Sequence, residues 1–193
     1  MIGEGTMKDK ELVQKVRSKD QEALSIIIDQ YYSDIFRFCL YMIQSEEDAY
    51  DITQETFLKF IRYGTSYPHR NLKGYLLTIA RNICFTYFQD KKRKGIKYEW
   101  EELTDFPCRT DKINETELSV DLGSLLSQLS QEMREVLILR IYEEMKFKDI
   151  AQIMGCSVST AKSRFRLGVA HLKKLMEVDY EGEGNQSSFF AGR

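Results

Sequence analysis

An all-α protein of two small helical domains is the fold class this sequence predicts, and three observations predict it. Only two prolines and eleven glycines punctuate 193 residues, which leaves little to break helices. Apolar residues recur at three- and four-residue spacing in both halves of the chain, the period of an amphipathic helix rather than the alternation of a strand. Between the halves lies a polar, acidic stretch with no sustained period. A chain of this length suits one large domain or two small ones, each with a modest core.

Taken in order, residues 10–43 carry Leu12, Val16, Ala23, Leu24, Ile27, Ile28, Tyr31, Ile35, Phe38, Cys39 and Met42 at helical spacing, so one or two amphipathic helices are expected there. Ser45 followed by Glu46, Glu47 and Asp48 reads as an N-cap with acids in the first turn, starting a helix that continues to about Arg62. Residues 64–71, with Pro68, break it. A further helix spans about 72–91 and runs into Lys91, Lys92, Arg93, Lys94 and Gly95, cations and a glycine suited to a helix C-terminus. Residues 10–95 form the first predicted domain, 96–120 a flexible acidic linker containing Pro107, 121–177 the second domain, and 178–193 a polar, glycine-rich tail expected to be disordered.

The charge distribution says more than its sum. The net charge is only −2, but residues 72–97 hold seven basic residues against one acid, and 140–174 hold eight against three. Residues 98–121 reverse this with eight acids against two bases. Two basic bodies joined by an acidic tether fit two nucleic-acid contacts kept apart by something that avoids DNA. Chance clustering of solvated charge accounts for any one block equally well.

Several classes are excluded. No run of about 18 apolar residues could span a membrane, and residues 1–10 lack the apolar core of a secretory signal, so a cytoplasmic protein without membrane insertion is expected. Cys39, Cys84, Cys108 and Cys156 form no Cys-x-x-Cys pair and have no histidine at ligand spacing; ordinary reduced thiols and no metal are expected. With only His69 and His171, no glycine-rich phosphate loop and no nucleophile beside a base, neither a catalytic constellation nor a cofactor site can be assembled.

The strongest motif lies in residues 147–176. A short helix carrying Ile150, Ala151 and Ile153 precedes Gly155, and Ser157 caps a second helix, the grammar of a helix-turn-helix. In the second helix Val158, Ala161, Phe165, Val169, Leu172 and Met176 share one face and are expected to be buried. The outer face offers Ser159, Thr160, Lys162, Ser163, Arg164 and Arg166, hydroxyls and cations that suit bases and phosphates. A helical hairpin with a solvated polar face is the plainer alternative.

Here a resemblance becomes specific. Leu129-Ser130-Gln131-Glu132-Met133-Arg134-Glu135-Val136-Leu137, then Asp149-Ile150-Ala151 and Ser159-Thr160-Ala161-Lys162-Ser163-Arg164, resemble region 4 of the extracytoplasmic-function sigma factors of bacterial RNA polymerase. Asp48-Ala49-Tyr50-Asp51-Ile52-Thr53-Gln54-Glu55-Thr56-Phe57 resembles region 2 of that family where it grips polymerase. Leu76-Leu77-Thr78-Ile79-Ala80-Arg81-Asn82 resembles its promoter-melting helix.

The resemblance implies that Asp48, Asp51, Gln54 and Glu55 dock on core RNA polymerase, although acids near a helix start also complement the macrodipole, and Glu55 can pair with Lys59. It implies that the helix from residue 72, with the loop 63–71, reads the minus-ten element of promoter DNA through Lys73, Arg81, Asn82, Lys91, Lys92 and Arg93. Unpaired bases stack on aromatic faces while cations hold the backbone, but Phe85 and Phe88 are expected in the core. The helix-turn-helix would read the minus-35 element, and an anti-sigma protein is a further partner the resemblance allows. Tyr75 departs from the family's usual tryptophan, Thr78 from a basic residue and Leu167 from a common arginine. A stand-alone helix-turn-helix regulator would explain the second half equally well, but not the basic aromatic helix or the acidic edge of the first.

Overall fold

The computed structural model describes residues 5–63, 71–94 and 118–184, and every element among them is helical. The first half is α1 (Gly5–Arg17), α2 (Gln21–Ile43), α3 (Glu46–Tyr63) and α4 (Leu72–Arg93). The expected break at 64–71 and linker at 96–120 lie largely outside the described residues, as do Cys108 and His69. Residues 118–120 already belong to a helix, α5 (Leu118–Ser127), followed by α6 (Gln131–Leu137), a π-helical turn (Ile138–Tyr142), α7 (Phe147–Ile153) and α8 (Val158–Gly184). The tail assigned to disorder is helical as far as Gly184.

Local chemistry sets the helix starts. Asp20 caps α2 by accepting from the Ala23 amide at 3.1 Å. The Ser45 hydroxyl accepts from Asp48 at 3.3 Å, and Asn71 accepts from Gly74 at 2.9 Å to start α4. Each satisfies one of the orphan amides of a first turn. At the end of α2, Gln44 takes φ 58°, and its amide donates to the Leu40 carbonyl.

The core does not respect the boundary between halves. Ile27, Ile35, Phe38, Leu76, Leu77 and Ala80 of the first half join Val136, Ile138, Leu139 and Ile150 of the second in one contiguous apolar cluster. Leu126, Leu129 and Leu137 form a smaller cluster nearby. The two basic bodies are therefore packed together in this conformation, not kept apart. Cys39 and Cys84 are buried and Cys156 half-buried, all as free thiols.

Candidate nucleic-acid interface and docking surface

The helix-turn-helix forms as the spacing predicts. Gly155 takes φ 61° between α7 and α8, a left-handed conformation that glycine adopts without steric cost. Ser157 caps α8, its hydroxyl accepting from the Thr160 amide at 3.0 Å and lying 2.7 and 2.8 Å from the hydroxyls of Ser159 and Thr160. Of the expected DNA face, Ser159, Lys162 and Arg166 are exposed and Thr160, Ser163 and Arg164 half-buried. Lys162 reaches over the Phe147 ring.

The buried stripe of α8 is shorter than expected. Ala161 is fully buried and Phe165, Val169 and Leu172 partly so, but Val158 and Met176 are 40% and 50% exposed. These two flank the stretch from Ala161 to Leu172 that carries the buried and half-buried members of the stripe. Within that stretch α8 comes close to α6 at Gly168, where an added Cβ would meet a Leu137 methyl at 3.0 Å.

On α3, Asp51, Gln54 and Glu55 project into solvent, with Glu55 paired to Lys59 at 2.8 Å. Asp48 is turned toward α4, accepting from the Tyr87 hydroxyl at 2.5 Å with Lys91 3.6 Å away. Tyr50, Leu58 and Ile61 are also exposed along this helix. Together they make a mixed acidic and apolar strip of the kind that marks a protein-docking face. The apolar members were visible in the sequence as residues left over once Ala49, Ile52, Phe57 and Phe60 were assigned to the core.

The residues of α4 assigned to promoter DNA divide into two sets. Asn82, Lys92 and Arg93 are exposed, Arg93 pairing with Asp90, and Lys91 lies over the Tyr87 ring at 4.5 Å. Lys73 and Arg81 instead face the second half. The Lys73 ammonium lies 2.8 Å from Asp34 and 2.7 Å from Glu143, whose side chain is fully buried. Burial works to lower the Lys73 pKa, but hydrogen bonds to Asp34 and Glu143 outweigh it and raise it. Arg81 donates to Glu135 at 2.5 Å, and its guanidinium lies 4.3 Å from the centre of the Phe85 ring. Phe85 thus supports a cation rather than filling the core, while Phe88 packs against the core as expected.

The Glu135 carboxyl is strongly perturbed. Burial drives its pKa up to about 7, although Arg81 and, more weakly, Arg164 oppose the rise. Beside it Arg134, 3% exposed, donates to the carbonyls of Leu126, Met42 and Ser127 at 2.9 Å each. Sequence reasoning assigned no role to Arg134, Glu135 or Glu143. A signal existed for Glu135, because at 3.6 residues per turn it shares a face with Ile138 and Leu139.

The comparisons with known proteins agree with these elements in their order. Residues 27–94 match the family described as Sigma-70 region 2 and residues 119–172 match Sigma-70, region 4. The RNA polymerase sigma factor YlaC of Bacillus subtilis is 26% identical over 174 residues, covering 86% of this chain and 98% of the relative. The ECF RNA polymerase sigma factor SigW of the same organism is 25% identical, covering 86% and 96%. The chain belongs to the sigma-70 family, in its extracytoplasmic-function group. A solved structure of the sigma factor RpoE from Bartonella quintana, in complex with the anti-sigma factor NepR, shares the fold. Its TM-score is 0.69 at 24% identity, over 80% of this chain and 97% of that one. For this sigma factor, α3 and α4 lie in region 2 and the helix-turn-helix in region 4. Among the described residues no helix is long and apolar enough to cross a membrane.

Proposed function

We propose that the chain works in the cytoplasm as a promoter-selecting initiation factor that catalyses nothing itself. Region 2 docks on core RNA polymerase through Asp51, Gln54 and Glu55 of α3, aided by Tyr50, Leu58 and Ile61. Its α4 then holds the opened minus-ten strand through Lys73, Arg81, Asn82 and the cations at its C-terminal end. Region 4 places the start of α8 in the major groove of the minus-35 element, where Ser159, Lys162, Arg164 and Arg166 meet bases and phosphates.

The observation that carries this reading is the exposed strip on α3. A regulator acting alone on duplex DNA needs the helix-turn-helix, but has no use for an uncovered acidic and apolar face on a separate helix. The test is co-purification with bacterial core RNA polymerase. Wild type should form a stable complex, and Asp51→Lys with Glu55→Lys should abolish it while circular dichroism stays unchanged, since exposed charge changes usually cost under about 0.5 kcal/mol. Binding that survives both reversals removes the docking assignment.

A further inference from the structure

One large apolar side chain stands on the outer face of α8, among hydroxyls and cations. Leu167 is 54% exposed, and among the described residues it joins neither apolar cluster. At about 100° per residue it points within about 40° of Thr160 and Ser163, which precede it by seven and four positions, and within about 20° of Lys174, which follows it by seven. Arg164, three positions earlier, flanks it on the other side. The stripe that faces the core, Ala161, Phe165 and Leu172, lies about 120° or more round the helix. A leucine scattered on a surface carries no meaning by itself. This one stands in the row of side chains that the docking of α8 lays along the major groove.

We propose that Leu167 is a specificity-determining residue of the minus-35 contact, reading the 5-methyl group of a thymine in the major groove. This role rests on the placement of α8 in that groove. Among the groups that base pairs present there, the thymine methyl is the apolar one, set beside hydrogen-bond donors and acceptors. The leucine side chain can neither donate nor accept. Against the polar edge of guanine, adenine or cytosine it strips water from donors and acceptors and returns no bond. Against a methyl group apolar area leaves water on both sides, worth about fourfold in affinity per methyl-sized group buried. Leucine carries no charge and displaces no counterion from the phosphates, so its contribution is independent of salt, unlike that of Lys162, Arg164 or Arg166. It adds base selection where the neighbouring cations can equally hold phosphates.

The test uses the full chain assembled with bacterial core RNA polymerase. Promoter duplexes randomised over the minus-35 stretch are selected by the wild-type complex. Each thymine that the selection enriches is then replaced in turn by deoxyuridine, which keeps the base pair and lacks only the methyl group. At one thymine this replacement should weaken wild-type binding about fourfold and leave Leu167→Ala unaffected. That variant should bind the unmodified duplex about as weakly as wild type binds the modified one, with the same salt dependence as wild type. Leu167→Arg, carried through the same selection, should exchange thymine for guanine at that position, because arginine grips the guanine edge with two bonds. Equal sensitivity to deoxyuridine in wild type and Leu167→Ala overturns the role, as does a thymine preference that Leu167→Arg retains. A selected sequence with no methyl-dependent thymine also overturns it, while leaving α8 in the groove. A wild-type complex that enriches no minus-35 sequence removes the placement of α8, and the role of Leu167 with it.

Discussion

At the scale of single residues, Glu135 ties stability to pH. Its carboxyl titrates near 7 in the packed chain, against an ordinary value of 4.5, because burial disfavours the charged form more than Arg81 favours it. The packed state therefore holds this proton more tightly than the unfolded chain does. Its contribution is fully present below the ordinary value and is lost as pH rises through about 7. Between pH 6 and 8 the loss amounts to about 1.3 kcal/mol. Urea midpoints at pH 6, 7 and 8 should fall in that order, and Glu135→Gln should flatten the trend; a slope unchanged in the variant would place the titrating group elsewhere. The buried thiols are a contrasting case. Cys84 is held well above its ordinary pKa by hydrogen bonding to Cys39 and by burial, which keeps it protonated and unreactive.

At the scale of elements, the α6–α8 contact is set by Gly168. A valine there must push Leu137 aside in a fully packed region, so Gly168→Val should cost about 1–3 kcal/mol, despite the better helix propensity of the larger residue. Chemical denaturation of the full chain measures it, and an unchanged midpoint would mean that α8 rests more loosely on α6 than the geometry indicates. The elements divide by how locally they are encoded. The Ser45 and Ser157 caps, the turn at Gly155 and the apolar period of α2 and α3 are written within a few residues, and each was legible in the sequence. The exposure of Val158 and Met176 depends on which turns of α8 the rest of the fold covers, which helical period alone does not encode. The π-helical turn, in which the Glu143 amide donates to Ile138, leaves no compositional mark. For the candidate site, the outer face of α8 and the acids of α3 could be read from helical phase. The turning of Lys73 and Arg81 toward buried acids more than fifty residues away could not, because no local pattern encodes a partner at that separation.

At the scale of the whole molecule, Arg134 joins the halves through backbone rather than side chain. Its guanidinium satisfies the Leu126 and Ser127 carbonyls at the end of α5, and also the Met42 carbonyl at the end of α2. Arg134→Ala should leave these buried acceptors short of donors and cost about 2–4 kcal/mol, seen as a lower urea midpoint of the full chain. A cost well under 1 kcal/mol would mean that water replaces the guanidinium without penalty. The same contact bears on how the protein is made. A chain emerges N-terminus first and its domains fold as units in that order, so α2 and its Met42 carbonyl are in place before residue 134 leaves the ribosome. The second half then finds a ready-made template for the buried Arg134, and the slow search for a contact spanning 92 residues becomes the docking of a late segment onto a finished surface.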